Sequence, residues 1–199
     1  MKEYYDRRAP EYDNWWLGRG LYARRERPGW EAELDELDEI ATLFGALPPV
    51  RTLDVACGTG FITRHLPGEV VGLDQSASMI AIASARLPHA DFVVGDALAL
   101  PFPDDAFGRV HASYFYCHLE DPERLRFLAE ARRVAPELIV FGSRAGVDEQ
   151  AERWEERVLE DASTWQVFKR VFEPGALADE LGGEVLHDGH WFVVVRSVR

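Results

Sequence analysis

The chain has 199 residues, 47% of them apolar, a length that suits one domain and a composition sufficient for a full core. Its 35 acidic against 22 basic residues give a net charge of −13, which argues against nucleic acid and anionic membranes as partners, because phosphate contacts need clustered Lys and Arg. Cys57 and Cys117 form neither a disulfide framework nor a zinc spacing; with no apolar signal region and no run near the ~20 residues that cross a bilayer, the chain reads as cytoplasmic, with no membrane insertion.

Taken in order, the first 30 residues concentrate Tyr4, Tyr5, Tyr12, Trp15, Trp16, Tyr22 and Trp30, enough aromatic area to pack a helical segment on a core. Arg24, Arg25 and Arg27 are the densest basic run there and read as a solvated charged face. Over residues 28–45, Leu34, Leu37, Ile40 or Ala41, and Phe44 share one stripe, which predicts a helix with Gly45 at its C-terminal cap and Pro48-Pro49 blocking continuation. Within residues 51–57, Thr52, Leu53, Val55, Ala56 and Cys57 form a short apolar run broken only by Asp54, as a buried parallel strand does. Gly58-Thr59-Gly60 then predicts a tight turn that brings bare backbone against a ligand, with a helix over 61–66. Residues 69–74 predict a second strand ending on Asp74. Ser76 is a good N-cap for a helix through Met79, Ile80, Ala83 and Leu87, ended by Pro88.

Residues 91–95 predict a third strand with Asp96-Ala97 at its end, and 107–113 a fourth. Tyr114-Phe115-Tyr116-Cys117-His118 follows it, at the carboxyl ends of the strands where open α/β sheets hold ligands. Asp121 and Pro122 predict the cap and first position of a helix with Leu125, Leu128 and Ala131 or Val134 inward. Residues 137–142 predict a fifth strand. The charged stretch 146–161 predicts a helix with Ala151, Trp154 and Val158 inward, and 164–172 an irregular or strand-like segment near the substrate. A short helix over 174–181 is expected to end at Gly182-Gly183. Asp188-Gly189 between two β-rich runs signals a type I′ hairpin. His187 and His190 flank that turn with no other ligands near, which argues against a metal.

Four strings resemble the class I S-adenosylmethionine-dependent methyltransferases, of the ubiquinone/menaquinone-methyltransferase-like, small-molecule type. They are DVACGTG at 54–60, EVVGLD at 69–74, GDALALPFPDDAF at 95–107, and a Y-D-x-x-A-x-x-Y-D segment matched at Tyr5, Asp6, Ala9, Tyr12 and Asp13. The resemblance is tight over 51–107 and loose beyond about residue 145. It implies an α/β, Rossmann-like seven-stranded sheet of order 3-2-1-4-5-7-6, strand 7 antiparallel, with helices on both faces. It also implies a single domain with residues 1–46 as an N-terminal helical lid and 47–199 as the core.

The cofactor implied is S-adenosylmethionine, with Tyr5, Tyr12, Asp54, Ala56, Gly58, Gly60, Asp74, Gln75, Met79, Asp96, Ala97 and Ser113 around it. Gly58 and Gly60 would admit its methionine and ribose end, and Asp54 would anchor the amino group. Asp74 would take the ribose hydroxyls, with Asp96 and the Ala97 N–H on adenine. Met79 reads either as an adenine-face contact or as a core methionine. Trp15, Tyr114 and Tyr116 fall on the acceptor side. His118 is the candidate base for a hydroxyl acceptor, and it reads equally as a histidine holding a backbone carbonyl. The net charge and the aromatics predict a small, neutral or cationic acceptor with apolar bulk.

A nicotinamide oxidoreductase is opposed by Thr63 at the place of a third glycine and by Asp54 lying inside the strand. A non-catalytic relative that binds the cofactor as a sensor stays open beside the enzyme.

Overall fold

The computed structural model describes residues 1–23, 29–146 and 149–199; the basic run of Arg24, Arg25 and Arg27 lies outside them. The sequence opens with α1 (Lys2–Arg8), α2 (Asn14–Leu17) and α3 (Trp30–Gly45). The central strand is β1 (Thr52–Val55), buried at every position. The chain then runs through β2 (Val70–Asp74), α4 (Ala77–Arg86), β3 (Asp91–Val94), β4 (Arg109–Ser113), α5 (Asp121–Val134) and β5 (Glu137–Ser143). Next come β6 (Glu152–Val158) and β7 (Thr164–Arg170), then α6 (Pro174–Leu181), β8 (Glu184–Asp188) and β9 (Phe192–Val198).

The main sheet has the order β3-β2-β1-β4-β5-β9-β8. Strands β1 to β5 are mutually parallel, and β9 runs antiparallel to both β5 and β8. This is the expected order, with β6 and β7 intervening in sequence as a separate two-stranded sheet. Both faces are covered, as a parallel sheet requires. On one face Phe127, Leu128 and Leu177 of α5 and α6 pack with Val55, Val110 and Val140. On the other, Leu37, Ile40 and Phe44 of α3 pack with Ile139, Phe141 and Phe192. After β3 the chain crosses β2 and β1 to add β4, so β1 and β4 flank the switch point where ligands bind in such sheets.

The structure corrects four local expectations. The helix over 61–66 is a single 3₁₀ turn, Thr63–His65, because Leu66 precedes Pro67 and is driven to an extended conformation (ψ 129°). The charged helix over 146–161 is instead β6, paired from Glu152↔Arg170 to Val158↔Thr164. Its Arg153, Glu155 and Arg157 turn inward while Trp154 and Val158 stay 58% and 49% exposed. The period is two, and Trp154 packs on Phe168 across the pair (5.8 Å between centroids). In α5 the cap moves one residue back, to Glu120, whose N–H donates to Glu123 (3.2 Å), and Leu125 faces solvent. The β8–β9 connection spans residues 189–191 rather than a two-residue type I′ turn. The Glu36 carboxylate accepts from the N–H groups of His190, Trp191 and Phe192 (2.9–3.1 Å) and bonds the His187 ring (3.0 Å), so a buried side chain from α3 fixes this loop.

Candidate active site

Four parallel strands end on one edge, and their first irregular residues build the site. Ala56, directly after β1, and Tyr114, directly after β4, both lie in the left-handed region (φ 51° each). Such conformations cost about 1–3 kcal/mol each in non-glycine residues and concentrate at functional sites. Here they turn the chain sharply at the switch point. Gly58 (φ 56°) follows, its backbone facing Tyr12: a Cβ there would stand 3.6 Å from the ring. The Gly58 N–H donates to Asp74 Oδ2 (3.0 Å) and the Ser76 N–H to Asp74 Oδ1 (2.8 Å), so one carboxylate ties the ends of β1 and β2 together. Burial pushes Asp74 above the usual carboxylate range despite those two donors.

These residues border a cavity of about 370 Å³. Of the residues expected around a cofactor, it collects Tyr5, Tyr12, Ala56, Gly58, Asp74, Gln75, Met79, Asp96 and Ala97. Leu98, Phe115, Leu119, Glu123 and Arg126 join them from loops and from α5, with no signal in the strings. Met79 is fully buried and also lines the cavity. Asp96 spends Oδ1 on the N–H of Leu98 (2.8 Å).

Four expected residues, Gly60, Asp54, Ser113 and Tyr116, fall elsewhere. Gly60 (φ 73°) faces α4, where a Cβ would lie 3.4 Å from Ala83 and Leu87; it serves helix packing rather than the cavity. Asp54 is buried, accepting from Thr63 Oγ1 (2.6 Å) and bonding His111 Nδ1 (3.0 Å). With Ser113, Ala56, Tyr12 and Tyr114 it borders a separate space of about 30 Å³. The Ser113 hydroxyl there is buried without a hydrogen-bond partner among the described residues, an arrangement that calls for a polar ligand. Tyr116 turns away into the core, stacked near Phe172 (6.1 Å) with its hydroxyl donating to Glu180 (2.5 Å).

A second cavity, about 430 Å³, lies beside the first. Tyr5, Tyr12, Tyr114 and His118 border both. Trp15 lines the second only. Burial raises the phenols of Tyr5 and Tyr114 well above their usual value and pushes Tyr12 up to about 12, so these rings stay neutral near pH 7. His118 Nδ1 lies 2.7 Å from the Phe168 carbonyl. A carbonyl only accepts, so Nδ1 carries the hydrogen and the neutral ring keeps its lone pair on Nε2. Of the two readings of His118, the structure shows the histidine that holds a backbone carbonyl.

The N-terminal segment is fastened to this edge by the two aspartates of its motif. Ser76 Oγ donates to Asp6 (2.6 Å), and with Lys2 this holds the Asp6 carboxyl down at about 2. Thr59 Oγ1 donates to Asp13 (2.6 Å), which also pairs with Arg86. The sequence offered those aspartates only as part of a pattern; the partners on the glycine loop and the α4 cap give them a task.

Residues 52–137 match the family model described as a methyltransferase domain. The demethylmenaquinone methyltransferase of Renibacterium salmoninarum is 39% identical over 98 residues, covering 48% of this chain and 40% of that protein. The enzyme of the same name from Thermotoga maritima is 38% identical over 100 residues, covering 48% and 43%. A solved structure of DhpI with SAM and HEP superposes with a TM-score of 0.75 at 23% identity over 99% of this chain and 95% of that one; DhpI with SAH gives 0.72 at 25% over 98% and 92%. Residues 52–137 of this chain are thus similar in sequence to methyltransferase domains, and the chain shares its fold with the solved DhpI structures. The matched stretch spans less than half the length of those two curated relatives, and the match to the family model ends at residue 137, before the β6–β7 pair that walls the second cavity. Among the described residues no helix is long and apolar enough to cross a membrane.

Proposed function

We propose that the protein transfers a methyl group from S-adenosylmethionine to a small molecule, with the cofactor in the first cavity and the acceptor in the second. The observation that carries this is the shared wall: the motif residues line one cavity, and Tyr5, Tyr12, Tyr114 and His118 separate it from another of similar size. The residues present suit this cofactor. Gly58 offers bare backbone, Asp74 keeps lone pairs for two hydroxyl donors beyond its bonds to Gly58 and Ser76, and the partnerless Ser113 hydroxyl beside Asp54 suits an amino-acid end. When bound, the cofactor supplies a methyl group already made electrophilic by its sulfonium. The protein's share is alignment, exclusion of water and, for a hydroxyl acceptor, proton removal. For such an acceptor, His118 Nε2 would accept the hydroxyl proton, its Nδ1 being held by the Phe168 carbonyl. Residues 1–46 act as a cap over residues 47–199, anchored through Asp6 and Asp13.

The acceptor reading as a small molecule is supported by cavity volumes within the range usual for such sites. Relatives named for a quinone precursor match the cofactor half of this chain and leave the acceptor to be found. Calorimetry with S-adenosylhomocysteine, followed by methyl transfer from labelled cofactor to a metabolite extract and to tRNA, DNA and protein fractions, tests the proposal. Label in the small-molecule fraction supports it, label chiefly in a macromolecular fraction overturns the acceptor class, and binding with label nowhere favours the sensor reading.

A further inference from the structure

We infer that the second cavity is built for a small acceptor carrying a compact oxyanion, a carboxylate or a phosphoryl group; this rests on the methyltransferase reading above. The chain is strongly acidic overall, yet Arg8, Arg144, Arg153, Arg157 and Lys169 line this cavity against Glu33, Glu149 and Glu155, five positive side chains to three negative. Arg144 is paired with Asp188 (2.7 Å), and Arg153 and Arg157 share Glu155.

Arg8 and Lys169 differ from these. Neither meets a carboxylate among the described residues. Arg8 donates to the Tyr4 hydroxyl and lies 5.0 Å from the centroid of Tyr12. Lys169 Nζ donates to Ser143 Oγ (3.0 Å) and sits 5.4 Å over Tyr114. Both rings belong to the wall shared with the cofactor cavity, so two half-buried cations that form no ion pair among the described residues, with Glu11 acting on Arg8 only from beyond contact, are held by neutral hydroxyls and ring faces at the mouth of the proposed acceptor site. Partly desolvated cations without a carboxylate are stabilised by an arriving anion, whereas a cationic acceptor adds like-charge repulsion. The expectation of a neutral or cationic acceptor came from the aromatics and from the chain's total charge, and the latter is an average that says nothing of one cavity.

The test uses a matched series on one three-carbon diol: glycerate, glycerol 1-phosphate, glyceramide and 3-amino-1,2-propanediol. Each is titrated calorimetrically into the protein with and without S-adenosylhomocysteine, and each is offered with labelled cofactor. The expected result is binding of at least one anion tenfold or more tighter than the amide, with the amine weakest, and preference between the two anions names the group. Lys169→Gln is expected to weaken the favoured anion tenfold or more while leaving amide binding and S-adenosylhomocysteine affinity within twofold. The amide or amine binding as well as either anion, or Lys169→Gln leaving anion binding unchanged, overturns the inference. Failure of S-adenosylhomocysteine to bind overturns the cofactor reading instead, and anion selectivity of the unloaded protein is then judged by the same thresholds.

Discussion

The two cavities share four side chains and are built in opposite ways. The first is made largely of backbone: strand ends, two left-handed residues and a glycine place N–H and carbonyl groups, and one buried carboxylate braces them. The second is made of long charged side chains from alternate positions on β6 and β7, with the cap across from them. A backbone-built site tolerates few changes, because each changes the path of the chain. A site built of side chains on a small hairpin changes recognition while its frame stays.

That contrast is sharpest at the glycines. Gly58→Val places a branched side chain at φ 56° against Tyr12 and inside the cavity; S-adenosylhomocysteine binding is expected to fall below detection by calorimetry while the sheet still forms. Gly60→Val is expected to cost stability instead, about 3 kcal/mol, from a left-handed β-branched residue packed against Ala83 and Leu87. A thermal melt separates the two, and loss of binding by Gly60→Val with an unchanged melt would contradict the assignment of that residue to helix packing.

Next in size is His118→Gln. Removing a positioned base costs on the order of a hundredfold in turnover, with S-adenosylhomocysteine affinity held within a few-fold. Steady-state kinetics that show the loss wholly in KM would remove His118 from proton transfer.

Asp74→Ala comes third, expected to weaken cofactor binding by about 2–3 kcal/mol, the scale of hydrogen bonds to a charged group. Its pH dependence is specific. The ionised carboxylate is the form that accepts from ligand and backbone, so affinity is full above the raised pKa and lost as pH falls through it. S-adenosylhomocysteine affinity should therefore start to fall at a higher pH than an ordinary carboxylate allows. The stability of the unliganded protein runs the other way at this group, because a carboxyl that holds its proton more tightly when folded favours folding as pH drops. Asp74→Asn abolishes both trends.

The smallest effect is expected at the cap. Asp13→Ala frees Thr59 and Arg86, costing about 1 kcal/mol of cofactor affinity. Hydrogen exchange should then rise across residues 2–17, and unchanged protection there would detach Asp13 from the cap's hold.

What the sequence disclosed follows the same division. The Ser76 cap and the stop at Gly182 were readable from local chemistry, whereas strand order and the nine residues gathered around the first cavity came with the family resemblance of the strings. Tyr116 and Gly60 were misplaced because direction depends on neighbours distant in sequence, Phe172 and Glu180 for one, α4 for the other. The stretch 146–161 was misread because charge density resembles an exposed helix. The period-two alternation of Arg153, Glu155 and Arg157 against Trp154 and Val158, together with Ser163 and the left-handed Ala162 (φ 63°) in the turn before β7, was the signal available. The meaning of Arg8 and Lys169 emerges only once the cap and β7 face the same space.

The β6–β7 pair is a sheet of its own, inserted between β5 and α6 and absent from the main sheet's hydrogen bonding. Replacing residues 152–170 would therefore redraw one wall of the second cavity while the pairings of β1 to β5, and the bond from the Phe172 N–H to the Ser143 carbonyl, stay as they are.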